Sequence, residues 1–355
     1  MATTRAYERW LRRHLGVVER DLALKHKLMA QDPFSFMRAT FYRWVAVWQA
    51  TCAELAAAPR VLAIGDLHVE NFGTWRDAEG RLVWGINDVD EAAAMPYAID
   101  LVRLATSALL ARGEEHLAIT PKAACKAILA GYRKQLGGEG HAFVLEESHD
   151  MLRKAALSVE RDPRHFWAKM ALLPDARAPA SVRKLLAAHL PDRRMKYRVA
   201  HRVSGLGSLG RPRYVALASW QGGQVVREAK AMLPSAYGWA IGQPEDVLHC
   251  RTIIERAVRC QDPHFAFSKR YLVRRLGPHC SRIELSMLPR AMNEVRILDA
   301  MGRETANLHL GSAAMCAAVR ADLAARPRGW LLAAAKAMHA ATLADWKTWK
   351  ALRRA

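Results

Sequence analysis

The chain has 355 residues, 51% of them hydrophobic and 25% charged, enough apolar sequence for a sizeable core and for two packed units. Lys and Arg number 54 against 34 Asp and Glu, a formal charge of +20 that attracts polyanions: nucleotides, nucleic acid or an anionic membrane surface. Six cysteines with no C-x-x-C pair argue against a zinc ribbon, a dithiol redox motif and a small disulfide scaffold, and predict reduced, mostly buried thiols. The N-terminus has no apolar core and carries Glu8, Glu19 and Asp21, which argues against a signal peptide. Near the C-terminus "WLLAAAKAMHAATLADW" is broken by Lys336, His339 and Asp345, too short and too polar for a membrane span. A cytoplasmic location is expected; the oligomeric state is not legible.

In chain order, residues 5–30 have helical apolar spacing, and residues 35–55 form a second helix after Pro33. "RVLAIGD" predicts a short buried strand and "RLVWGIND" a second, with "RDAEG" as the turn between them. From Pro96 to about Leu190 the pattern is helical. Residues 197–232 are the most strand-like part, rich in Val and aromatics, with a Gly222-Gly223 hairpin signal. A helix over 244–260 and a strand around "RYLVRRL" follow, and 290–352 is helical again. The expected fold class is α+β: a large, mostly helical unit over 1–194, a small β-rich unit over 195–280, and C-terminal helices over 281–355 that return to the large unit.

Two stretches carry chemistry. In "GDLHVEN" the glycine lets the chain turn after the strand, so Asp66 stands at a strand end, and Asn71 five residues on can return an oxygen to the same point. Asp88 and Asp90 end the next strand. Asp and Asn oxygens from neighbouring strand ends suit Mg²⁺, which takes few protein ligands and completes its shell with water and phosphate. In "INDVDEA" either Asp88 or Asp90 can be the main ligand. "GLGSLG" fits G-x-G-x-x-G through Gly205, Gly207 and Gly210, with Ser208 inside the loop. A dinucleotide fold needs a helix directly after such glycines. Here they lie between two strand-like runs, with Lys230 at the end of a later strand and Glu255 in the helix that follows. Glycine hairpin, strand lysine and helix glutamate form the phosphate-clamping layout of a protein-kinase small lobe.

"GDLHVEN…INDVDEAAAMPYAIDLVRLA" resembles the aminoglycoside and choline phosphotransferases, whose pattern sets a catalytic Asp, an Asn and a metal-binding Asp at this spacing. The resemblance implies a two-lobed protein-kinase-like fold. It makes Asp66 the catalytic base, Asn71 and Asp88 (or Asp90) the metal ligands, and Gly205, Gly207, Ser208, Gly210, Lys230 and Glu255 the ATP-binding set. Asp100 becomes a structural acid opening a helix. The leading His usual in that family is Ile64 here. The small-lobe motifs follow the catalytic loop instead of preceding it, which implies a circular permutation. In this order, "DPFSFMRATFYR", "GDLHVENFG", "INDVDEA", "VSGLGSLG", "AKAMLPSA" and "RTIIERAVR" resemble an uncharacterised bacterial domain-of-unknown-function family from about residue 25 to about 345. The usual acid after its lysine is Ala231 here.

The expected function is ATP- and Mg²⁺-dependent transfer of a phosphoryl group to a hydroxyl of an unidentified small molecule or protein. Transfer of AMP from the same site is the alternative, as is a basic pseudokinase that binds nucleotide or nucleic acid without turnover. "GDLH" also resembles the first metal motif of metallophosphoesterases, but their later motifs are missing, so His68 reads as a hydrogen-bonding loop residue. Nucleic acid is the less favoured partner, because no RNA-binding signature accompanies the charge.

Overall fold

The computed structural model describes residues 2–112, 117–283 and 293–352. Positions 290–292, where the sequence reads helix, lie outside them. The fold is mixed α+β, with ten strands in three sheets among the described residues. The strands are β1 Arg60–Ala63, β2 Phe72–Arg76, β3 Leu82–Ile86, β4 Ala93–Pro96, β5 Phe143–Val144, β6 Arg198–His201, β7 Arg213–Trp220, β8 Gly223–Ala231, β9 Ala266–Ser268 and β10 Tyr271–Leu276. All six cysteines are free thiols, four of them buried. Among the described residues no helix is long and apolar enough to cross a membrane.

The first acid-bearing hairpin differs from the sequence expectation. β3 pairs not with β1 but with β2, in register Thr74 to Trp84. β1 pairs instead with β4, Val61 opposite Met95. The sequence hides β2 because "FGTWR" is buried on both faces over four of its five residues, which erases the alternation that marks a half-exposed strand. The turn itself falls in the expected place. Asp77 accepts the N–H groups of Glu79 and Arg81 at 3.0 and 2.9 Å and also the Arg81 side chain.

The N-terminal helical reading resolves into four helices, Ala2–His14, Glu19–Met29, Pro33–Ala39 and Phe41–Thr51. Asp32 caps the third by accepting the Ser35 N–H at 2.7 Å, with Pro33 in the first turn. The helix expected over 244–260 shrinks to Cys250–Arg256. Its continuation is diverted when the Val258 N–H donates to the Asn307 carbonyl at 3.0 Å.

β6 to β10 form one antiparallel sheet in the order β6-β7-β8-β10-β9. Side chains alternate across it, so the register sorts them onto two faces. Ala216, Ala218, Ala229 and Val273 meet Val182 and Leu186 of the Ala180–Ala188 helix on one face. Val215, Val226 and Leu276 meet Phe166, Trp167 and Met170 of the Pro163–Ala171 helix on the other. That second face also carries Arg213, Glu228, Lys230 and Arg274, paired Arg213 to Lys230 and Glu228 to Arg274. The chain leaves β10 through residues 277–283, where the Thr74 N–H donates to Ser281 and the Ile283 N–H to Phe72, each at 3.0 Å. This segment brings the β2–β3 hairpin against the large sheet.

The helical core is close-packed. Every residue of the Ala98–Leu110 helix is buried. Helices Pro121–Leu136 and Glu294–His309 touch through glycine: a Cβ on Gly131 would overlap the Asp299 carbonyl, and one on Gly302 the Ile128 carbonyl. Gly302→Ala must therefore push two backbones apart. It is expected to destabilise by about 1–3 kcal/mol, read as a lower urea midpoint, whereas an unchanged midpoint would contradict this packing.

Candidate functional site

The site begins with the loop after β1. The Asp100 carboxylate accepts the backbone N–H groups of Ile64 and Gly65 at 2.7 and 2.8 Å and faces His309 Nε2 at 2.9 Å. His309 Nδ1 lies 2.8 Å from the Tyr132 hydroxyl. One tautomer satisfies both contacts: Nε2 donates to Asp100 and Nδ1 accepts from Tyr132. All three side chains are buried, so the loop rests on a satisfied polar network. Gly65 sits at φ +82°, and a Cβ there would meet Glu91, Met95 and Phe41 within 2.9 Å. Only glycine makes this turn without strain.

Asp66 projects from this turn. Arg103, fully buried, donates to Asp66 Oδ1 through Nε at 3.1 Å and through Nη2, which also reaches the Met37 carbonyl at 2.9 Å. The rings of Phe41 and Trp44 lie 5.0 and 4.9 Å from the guanidinium carbon. Burial pushes the Asp66 carboxyl up to about 7; Arg103 opposes the shift and Glu91 adds to it. His68 accepts the Glu70 N–H on Nδ1 at 3.1 Å and is held neutral, its pKa driven well down by burial and by Arg38, Arg103 and Arg282. This agrees with its reading as a loop residue.

Asn71 links the two acidic segments. Its Nδ2 donates to the Asp88 carbonyl at 3.3 Å, and its carbonyl accepts the Asn87 N–H at 3.0 Å. Its Oδ1 is buried with no hydrogen-bond partner among the described residues. Lys230 Nζ makes an ion pair with Asp90 and lies 3.5 Å from Asp88 Oδ1. Asp90 is pushed up to about 6 by burial and then by Asp88. Asp88 is the more open, with 41% of its side chain exposed against 9% for Asp90. Burial works against its charge, but Lys230, a hydrogen bond with Asp90, and Arg274 and Arg213 together overcome that and hold it below the usual carboxylate range. Among the described residues no three His, Cys, Asp or Glu side chains form a metal-binding group. The donor set is two carboxylates and one amide oxygen, and the partnerless Asn71 Oδ1 fits a hard cation such as Mg²⁺.

The glycine loop joins β6 to β7 and folds over Asp66. A Cβ on Gly207 would stand 3.1 Å from Asp66 Oδ2 and from the Arg38 carbonyl. Ser208 Oγ donates to the Gly205 carbonyl at 3.2 Å and accepts from Arg213 at 2.9 Å. The Glu19–Met29 helix clamps the loop: Lys25 Nζ donates to the Gly207 carbonyl at 2.7 Å, just after the Val18 N–H donates to Gly210 at 2.9 Å. Burial, then the nearby Arg211, lowers the Lys25 ammonium to about 8.

A cleft of about 260 Å³ thus brings together Asp66, Asn71, Asp88, Asp90, Gly205, Gly207 and Ser208, with Lys230 behind Asp90. Two expected members lie apart. Gly210 packs against Leu22, off the cleft. Glu255 does not reach Lys230: its side chain is 65% exposed and its nearest cation is Arg251, at 4.0 Å. The short Cys250–Arg256 helix turns that position to solvent, and Asp90 and Asp88 orient the lysine instead.

Residues 17–171 match the model of a family described as an uncharacterized protein conserved in bacteria (DUF2252). The match takes in "DPFSFMRATFYR", "GDLHVENFG" and "INDVDEA", and so the cleft residues Asp66, Asn71, Asp88 and Asp90. The stretches "VSGLGSLG", "AKAMLPSA" and "RTIIERAVR" lie beyond it, so the glycine loop and Lys230 come from the part of the chain outside the DUF2252 match. No curated protein and no solved structure matches the chain.

Sequence reasoning missed three groups here. Arg103 and Lys25 carry no local signal, because their partners lie 37 and 182 residues away. Glu228 had one: it stands two residues before Lys230 and therefore on the same strand face. It is fully buried and accepts from Arg202 at 2.6 Å, Arg274 at 2.8 Å and Arg213 at 3.1 Å.

Proposed function

We propose that the cleft binds a nucleoside triphosphate with Mg²⁺ and transfers a phosphoryl group to a hydroxyl acceptor. The observation that carries this reading is the convergence of Asp66, Asn71, Asp88, Asp90 and Lys230 beneath a glycine loop. The strand order adds support. The loop joins the first two strands of the five-stranded sheet and the lysine stands on the third, as in the protein-kinase small lobe. In this reading the fold is kinase-like and circularly permuted, with the catalytic loop built before the nucleotide-binding sheet.

The residues divide the work as follows. Asn71, Asp88 and Asp90 would hold Mg²⁺, which neutralises phosphate charge when bound. Lys230 and the backbone N–H groups of the loop position the phosphates, so most of the rate comes from positioning and electrostatics. Asp66, aimed by Arg103, takes the acceptor proton. The cleft of about 260 Å³ lies just below the usual range for ligand pockets, so the Gly207 tip must lift from Asp66 to admit the nucleotide.

The test is the melting temperature with ATP and Mg²⁺, separately and together, for the native protein, Lys230→Met and Asp88→Asn. Ligand at about 100 times its Kd adds roughly 2.7 kcal/mol of stability. An ATP shift enlarged by Mg²⁺ and lost in either variant is the expected result; no shift in the native protein rejects the reading. Mass spectrometry of the product then separates phosphate from AMP transfer.

A further inference from the structure

A second recess lies on the outer edge of the five-stranded sheet, away from the catalytic acids. It is an open groove of about 1070 Å³ between the Pro163–Ala171 helix, the segment entering β6 and the far end of β7. β6 is the edge strand and begins at Arg198, opposite Leu217, so β7 runs on through Ala218, Ser219 and Trp220 with no strand beside it on that edge among the described residues. Three half-buried aromatic rings line the groove: Trp167, Tyr197 and Trp220. The Tyr197 hydroxyl donates to the Arg183 carbonyl at 2.9 Å, which fixes that ring.

The charge of the groove is positive. Arg194 and Lys196 flank the rings and take part in no ion pair among the described residues. Arg198 is committed to structure, bonded to Asp175 and the Leu173 carbonyl at 2.8 and 2.7 Å. The acid of the lining, Asp192, accepts the backbone N–H of Arg194 at 2.8 Å and so closes a turn. The surrounding field is that of a +20 chain.

We propose that this groove binds single-stranded nucleic acid. Unpaired cations track a phosphate backbone, and the rings offer faces on which bases of any sequence stack. An acidic peptide would satisfy the cations, but it gives three ring-bearing side chains no stacking partner. The proposal uses no residue of the acid cleft and stands apart from the phosphotransferase reading.

The test is fluorescence anisotropy of a fluorescein-labelled 12-nucleotide oligo(U), at low and moderate salt. Variants are Arg194→Glu with Lys196→Glu, both outside any ion pair among the described residues, and Trp220→Ala. Binding is expected to weaken as salt rises. The double charge reversal should weaken it by about tenfold or more, because the phosphates along the groove then face carboxylates in place of cations. Trp220→Ala should weaken it roughly tenfold by removing a stacking face. Both variants should keep the native melting temperature and any shift with ATP. No binding at low salt would overturn the proposal, as would charge-dependent binding that Trp220→Ala leaves unchanged and a poly-glutamate peptide displaces equally well.

Discussion

Asp66→Asn is expected to lower phosphoryl transfer by about 10²–10⁴-fold while leaving the melting shift with ATP and Mg²⁺ in place. The asparagine keeps the shape that Arg103 holds but cannot take a proton. Lys230, Asn71 and Asp88, which would hold the phosphates and the cation, are untouched. Loss of the ATP shift together with activity would mean that Asp66 serves binding and not proton transfer.

The pH dependence sharpens this test. The Asp66 carboxyl lies near 7 in the folded chain, well above the usual carboxylate value. Only the ionised form accepts a proton, so transfer should rise with pH and level off above about 7. Stability responds in the opposite direction. Between about 4 and 7 the folded chain holds a proton that the unfolded chain has released. The Asp66 contribution to stability is therefore present at low pH and falls as pH rises through that window. The difference in stability between the native protein and Asp66→Asn should carry that slope, and a difference flat with pH would contradict the raised value.

Glu228→Gln is expected to destabilise the chain by about 3–5 kcal/mol at neutral pH, the cost of breaking a buried charge pair. Three guanidiniums, Arg202, Arg213 and Arg274, converge on this one carboxylate, and its removal leaves them without an ion-pair partner among the described residues. Burial pushes its pKa upward, but Arg213, Arg274 and Arg202 overcome that and hold it well below the usual range. Its contribution is thus complete above about 4.3 and lost as pH falls toward the folded value. Urea midpoints should fall for Glu228→Gln at pH 7, and the gap from the native protein should narrow in acid. A loss under about 1 kcal/mol would show that the arginines find other partners. The same variant should weaken any ATP shift, because Arg213 pairs across the sheet with Lys230.

What the sequence determined on its own was most of the acid, amide and glycine residues that meet in the cleft, and their local geometry. Glycine before Asp66 encodes the turn, and the five-residue spacing to Asn71 returns the amide to the next acids. The alternation around "VVREAKAM" places Lys230 on one face of a strand. These are local rules of backbone and period, and a short stretch of sequence contains them. The tertiary structure decided the rest. β2 was hidden because it is buried on both faces, and that burial comes from distant segments. Arg103 and Lys25 became partners of Asp66 and Gly207 only when separate helices packed against the loops. Glu255 read as the partner of Lys230 by order along the chain, but the chain leaves its helix early when Val258 donates to Asn307. Lys230 found Asp90 and Asp88 instead, because charge pairing in a buried cleft depends on distance in space and not on order in sequence.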